Sequence, residues 1–293
     1  MVSIDRELYP FDSHFLSRGS SRLHYLDEGE GTPVVMVHGN PSWSLYYRRV
    51  VAALSPTYRC IVPDHIGCGL SDKPDDDQYD YTLQTRIDDL TALIDATVPE
   101  GQVDLIVHDW GGAIGFGWAV QNPDRIRRLV VLNTAAFRNP AGQSLPKPLW
   151  LVRNTPLGSF LVRGLNAFSA GATRMAVINR MSSRLRRAYT APYNSWKNRI
   201  ATLRFVEDIP LNESDPAWTP LVETENGLDR LADKPMLICW GDQDFVFDET
   251  FLAEWQRRFP QASVHRYAGA GHYVLEDAGD EIVPEIEAFL NAS

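Results

Sequence analysis

Short runs of apolar and β-branched residues recur along the chain at 22–26, 33–37, 59–62, 103–107, 129–132, 235–240 and 263–267, each ending near a turn signal. Between them, residues 45–54, 83–97, 112–121, 250–258 and 282–290 space their apolar positions three and four apart, the period of a helix with one buried face. Strands alternating with helices predict an α/β fold: a mostly parallel, doubly wound sheet covered by helices. The alternation fails from about residue 137 to 223, where the pattern is helical, interrupted by prolines and without a credible central strand. The expected organisation is therefore a core of residues 1–136 and 224–293 with an inserted helical cap of residues 137–223. No internal repeat or low-complexity tract breaks this pattern.

Ligands of open α/β sheets sit beyond the carboxyl ends of the strands, so the residues after each apolar run are where chemistry is expected. The run 103–107 leads through His108 and Asp109 into Trp110, Gly111 and Gly112. This is the form of a nucleophile elbow, a strained strand-to-helix turn whose glycines allow the sharp bend, with Asp109 where such turns usually carry serine. An aspartate, with an ordinary pKa near ~3.9, is ionised at neutral pH and attacks without a base to deprotonate it. The start of a helix is expected to keep it charged. A carboxylate suits displacement at saturated carbon or opening of a strained ring, giving an ester of Asp109 that is then cleaved. The alternative is that Asp109 merely caps the helix.

The run 33–37 is followed by His38, Gly39, Asn40, Pro41, Ser42 and Trp43. Backbone N–H groups of Asn40 and Trp110 there can form an oxyanion hole, each donor worth about 3 kcal/mol. The Asn40 amide and the Trp110 indole N–H are two further donors that can converge on a leaving halide or another anion. Alone, Asn40 also reads as a turn residue before proline. After the last strand run, Ala268–Gly271 is small and delivers His272, the candidate general base for water. Its orienting carboxylate is expected after the penultimate strand at Asp244, with Asp242 as fallback, because the corresponding place after Leu132 holds the uncharged Asn133. Residues 64–69 read as a structural loop near the site and the acidic 72–77 as a solvated turn. Neither has trustworthy metal-ligand spacing, and no cofactor is expected.

Composition narrows the class. The 293 residues are 44% hydrophobic and 23% charged, with a formal net charge of -10. That is a soluble globular chain, and its acidic balance argues against nonspecific binding to nucleic acid or anionic membranes. Cys60, Cys68 and Cys239 are odd in number and without paired spacing, which fits a reducing compartment. The first fourteen residues offer no apolar run for a signal or membrane span, so a cytoplasmic location and no transmembrane segment are expected. The aromatic residues Trp150, Phe160, Phe168, Tyr189, Tyr193, Trp196 and Phe205 suit an apolar pocket for a small substrate, with some expected to face it and most to lie in the core, while the run 149–152 reads as a buried helix face before a surface for an assembly partner.

With these segments in view, nearly the whole chain resembles the haloalkane dehalogenase group of α/β-hydrolases. The segments 38–43 and 107–112 are similar to that group's halide-binding and nucleophile motifs, and 241–244 with 271–272 to its acid and base. The resemblance implies Asp109 as nucleophile, His272 as base, Asp244 as acid, and Asn40 with Trp110 as halide ligands. Asn40 together with a late acid is similar to the third subfamily. The segments 64–74, 200–205 and 244–248 also resemble the β-lactone decarboxylases of long-chain olefin synthesis, which share the same five residues. Haloalkane dehalogenation is the leading expectation, with halide and alcohol as products. Decarboxylation of a β-lactone, with the lactone carboxylate held where the halide would sit, is the alternative. An epoxide hydrolase using Tyr189 and Tyr193, and a noncatalytic ligand-binding protein, are the remaining readings. A homo-oligomer or a multi-enzyme assembly is compatible with all of them.

Overall fold

The computed structural model describes residues 4–140, 143 and 145–292. Among the described residues eight strands form one sheet: β1 (His14–Arg18), β2 (Ser21–Glu28), β3 (Thr32–Val37), β4 (Tyr58–Pro63), β5 (Val103–Asp109), β6 (Ile126–Thr134), β7 (Met236–Gly241) and β8 (Ser263–Tyr267). Their order is β1-β2-β4-β3-β5-β6-β7-β8. Only β2 runs against its neighbours; β4, β3, β5, β6, β7 and β8 pair in parallel. Every residue of β5 is buried, as a central strand covered on both faces must be.

The period-two alternation of strand side chains sorts the core into two layers. Val35, Val37, Leu105, Val107, Leu129 and Val131 pack on one face, and Val34, Met36, Ile106, Val130 and Leu132 on the other. The first face is covered by α2 (Leu83–Thr97), α3 (Trp110–Ala119) and α10 (Glu249–Arg258), the second by α1 (Arg48–Leu54) and α12 (Gly279–Asn291). The helix expected at 83–97 has those bounds, and its N-cap Thr82 accepts the N–H of Thr85. The edge strand β1 was not anticipated; its residues are largely exposed and lack a sustained apolar run. The short α11 (Val274–Asp277), directly after His272, was also missed.

Between β6 and β7 lie α4 (Lys147–Asn154), α5 (Pro156–Leu165), α6 (Ala167–Met175), α7 (Ser183–Thr190), α8 (Ile200–Glu207) and α9 (Trp218–Gly227), with no strand among the described residues. Val152, Val162, Leu203 and Val206 tie α4, α5 and α8 into a small apolar cluster of their own. The expected boundary after residue 223 falls inside α9, whose Leu221 joins the main core beside α3. No helix among the described residues is long and apolar enough to cross a membrane.

Candidate active site

The end of β5 and the start of α3 meet at Asp109, whose backbone adopts φ 51° and ψ -128°. A non-glycine residue held there costs about 1–3 kcal/mol, so the surroundings must impose it. The neighbouring glycines show how close the chain passes. A Cβ on Gly111 would lie 2.0 Å from the Val37 carbonyl, and one on Gly112 would lie 1.9 Å from Thr134 Oγ1. A Cβ on Gly39 would lie 2.2 Å from Asp109 Oδ2. Asp109 makes no side-chain cap bond to α3, which removes the capping alternative.

Instead the Asp109 carboxylate turns to the β3 loop, where Oδ2 accepts the Asn40 N–H at 2.7 Å. Burial pushes its pKa up to about 6, against the opposing pull of His272 and of the Asn40 and Trp110 N–H groups. Removal from water outweighs the backbone donors at the helix start, and with a pKa of about 6 the group stays mostly ionised at neutral pH.

His272 follows β8 and places Nε2 4.0 Å from Asp109 Oδ2. A water bonded to both at about 2.8 Å would bend at roughly a right angle, so the gap fits one solvent molecule. On its other side His272 Nδ1 pairs with Asp244 Oδ2 at 2.8 Å. Burial pulls the His272 pKa down, but Asp244 and Asp109 outweigh it and the net shift is upward. The Val246 N–H holds Asp244 Oδ1 at 2.7 Å. Asn133, expected to stay outside the acid–base pair because it carries no charge, has a place here: its Nδ2 donates to Asp244 Oδ2 at 3.1 Å and to the Gly241 carbonyl at 3.0 Å. Its Oδ1 accepts the Gly241 N–H at 2.8 Å. The fallback Asp242 points elsewhere, to Arg266 at 2.8 Å. His108, also unanticipated, meets the His272 carbonyl through Nε2 at 2.8 Å.

Asp109, His272, Asn40 and Trp110 line a cavity of about 330 Å³. The rest of its wall is mostly apolar, built by α4, α5 and α6 and by Phe137, Phe245, Phe247 and Phe251, with Asn139 and Gln143 as further polar side chains. Of the seven aromatic residues, some of which were expected to face a pocket, Phe168 lines it. Trp150, Phe160 and Trp196 are exposed, and Tyr189, Tyr193 and Phe205 are buried in the core. Trp150 thereby also corrects the reading of 149–152 as a wholly buried face, while Leu149, Leu151 and Val152 face the cavity. The two tyrosines of the epoxide hydrolase reading bond to Glu276 and to the Ser42 carbonyl and do not line the cavity, so that reading loses its acids.

Asn40 spends one amide hydrogen on the Thr202 carbonyl at 3.1 Å, which leaves one for a ligand. Trp110 is braced by Phe205, ring centroids 5.4 Å apart, and Phe205 in turn lies 3.7 Å under the Arg86 guanidinium. The 64–69 loop is structural: buried Asp64 accepts the N–H groups of Ser44 and Leu70 and pairs with His24 at 2.8 Å. The acidic turn is solvated at Asp75, Asp76 and Asp77, as expected, and Asp75 and Asp76 also reach Lys197 and Arg204 of the helical segment. Among the described residues no group of three His, Cys, Asp or Glu side chains is placed to hold a metal ion.

A model of the alpha/beta hydrolase fold matches residues 32–279. The chain is 57% identical to a cis-3-alkyl-4-alkyloxetan-2-one decarboxylase of Shewanella oneidensis, covering 97% of this chain and 89% of that one. It is 50% identical to the protein of the same name from Xanthomonas campestris pv. campestris, over 92% of each. Haloalkane dehalogenase 2 of Mycobacterium tuberculosis is 31% identical over 96% of each chain. Among solved structures, the haloalkane dehalogenase DbeA of Bradyrhizobium elkani superposes with a TM-score of 0.83 at 26% identity, covering 97% of this chain and 100% of that one.

Proposed function

Because the chain belongs to the α/β-hydrolase fold family, in the group shared by β-lactone decarboxylases and haloalkane dehalogenases, we propose that it converts a cis-3,4-dialkyl β-lactone into an alkene and carbon dioxide. The observation that carries this is the 57% identity to a decarboxylase over 97% of the chain, against 31% to a dehalogenase. It reverses the order of the two readings that the motifs suggested.

Asp109 attacks the saturated ring carbon that bears the lactone oxygen. A carbon–oxygen bond to Asp109 forms as the ring carbon–oxygen bond breaks, leaving an alkyl ester and a free carboxylate on the adjacent carbon. The remaining Asn40 amide hydrogen and the Trp110 indole N–H are donors lining the cavity that receive that carboxylate. The bond to the carboxylate carbon then breaks, its electron pair becomes the alkene π bond, and the ester carbon–oxygen bond returns its pair to Asp109. Carbon dioxide leaves and the enzyme is restored without water. Inversion at the attacked carbon followed by anti fragmentation returns the cis alkene. Asp244 and Asp109 favour the protonated form of His272, which attracts the carboxylate that re-forms on Asp109. Residues 137–223 act as the cap over the alkyl chains.

Dehalogenation remains a second reading, favoured by the 4.0 Å space between His272 and Asp109. There a neutral His272 activates water against the alkyl ester, the oxyanion faces the Asn40 and Trp110 N–H groups, and halide occupies the anion place. The test measures alkene and carbon dioxide from a cis-3,4-dialkyl β-lactone beside bromide from 1-bromobutane, with Asp109→Ala as control. The decarboxylase reading predicts fast alkene formation lost in the variant. Bromide release alone, or alkene formation that survives Asp109→Ala, overturns it.

A further inference from the structure

The acidic balance of the chain is an average over two regions of opposite sign. Residues 139–206, which build most of the cavity wall, hold eleven Lys and Arg and no Asp or Glu, so all 38 acidic residues lie elsewhere. Some of these cations are neutralised by the body of the protein, as Arg184 is by Asp5 and Arg204 by Asp76. Lys147, Arg174, Arg180 and Arg187 are exposed and have no acidic partner among the described residues.

Large apolar side chains stand exposed among them. Trp150 is 53% exposed one turn from Lys147 on α4, and Phe160 is 52% exposed on α5. Met175 and Ile178, 59% and 54% exposed, alternate with Arg174 and Arg180 at and just beyond the end of α6. Pro148, Met175 and Phe245 are both exposed and part of the cavity wall, so the cavity opens within this surface.

We propose that this face docks on an anionic phospholipid bilayer, with the cavity mouth against the lipid. Single large apolar side chains flanked by unpaired cations on short helices are the pattern of interfacial binding: the apolar groups enter the headgroup boundary and the cations meet lipid phosphates. The -10 net charge does not oppose it strongly, because charges on the far side lie beyond the screening length of ~8 Å at physiological salt. An apolar substrate would then pass from the bilayer into the cavity without crossing water. This goes beyond the proposed reaction and does not depend on Asp109.

The experiment is co-sedimentation of the full chain with phosphatidylcholine vesicles, with and without phosphatidylglycerol. Binding is expected to the mixed vesicles and to weaken at high salt. Each cation should contribute roughly fivefold, so Lys147→Glu with Arg174→Glu should weaken binding by at least about 25-fold. Trp150→Ser with Ile178→Ser should also weaken it, and Asp109→Ala should bind like the unaltered protein. Thermal melting shows that the variants fold. No binding to mixed vesicles, or binding indifferent to phosphatidylglycerol, overturns the proposal. So does a lipid-free dimer, seen by light scattering, that Trp150→Ser disperses, since a second copy would then cover the face.

Discussion

Asp109→Asn should make the protein more stable at neutral pH. The carboxylate is raised from 3.8 to about 6 chiefly by burial, a shift of roughly 2 units, and each unit is ~1.4 kcal/mol. Folding with an ionised Asp109 therefore costs up to about 3 kcal/mol. Asparagine keeps the shape, tolerates φ 51° as well as aspartate does, and still offers an oxygen to the Asn40 N–H. The attraction to His272 is already contained in that net shift, so about 2–3 kcal/mol is expected, or several degrees in melting temperature. The sign follows from linkage. A raised pKa leaves stability intact below the unfolded value near 3.8 and loses it as pH rises through about 6. The advantage of Asn should thus be absent below about pH 4, grow between 4 and 6, and be full above. Calorimetric or fluorescence melts of both proteins from pH 4 to 8 test it. A variant that melts lower at pH 7.5, or a difference independent of pH, refutes the assignment of the shift to burial.

His272→Asn should leave alkylation of Asp109 by 1-bromobutane intact but stall hydrolysis, so intact mass spectrometry should show one butyl adduct; unmodified protein under those conditions would remove the ester step or the place given to His272. With either substrate, kcat/KM should fall below about pH 6 as Asp109 takes up its proton. Hydrolysis of bromobutane also needs neutral His272, whose pKa lies above 6.5, so its kcat should rise on a second, higher limb that alkene formation lacks. Asn133→Ala removes three hydrogen bonds, leaving the Gly241 N–H and part of Asp244 unsatisfied. It should cost roughly 2–4 kcal/mol and lower kcat more than it changes KM, measurable by denaturant melts and steady-state rates.

The positions of Asp109, His272 and Asp244 were legible because each comes shortly after a strand run that the apolar pattern marks. Residues leaving the carboxyl ends of parallel strands emerge at one edge of the sheet, so three residues distant in sequence were bound to be neighbours. Asn133 was not legible as a partner. Its signal is a side chain lying beneath β7, 108 residues away at Gly241, which no local pattern encodes. Phe245, Phe247 and Phe251 were invisible as cavity lining for another reason: an apolar residue facing a cavity and one facing the core obey the same periodicity. The upward shift of Asp109 was missed because helix-start donors can be read from sequence, whereas burial is a property of the assembled structure. The same limit hid the exposed Trp150 inside an apolar run.

The five site residues serve both proposed reactions because the substrate, rather than the elbow, decides what becomes of the ester. An alkyl ester derived from a haloalkane carries no group that can expel Asp109, so it waits for a water in the 4.0 Å space beside His272. An ester derived from a β-lactone carries a carboxylate on the neighbouring carbon. Its fragmentation is intramolecular, needs no solvent, and is favoured further in an apolar cavity that strips water from that carboxylate. Selection between the reactions then falls on which molecule the apolar wall admits, and on how long the Asn40 and Trp110 donors hold the released anion. A wall that binds two alkyl chains biases the same carboxylate toward the alkene with no change at Asp109, His272 or Asp244.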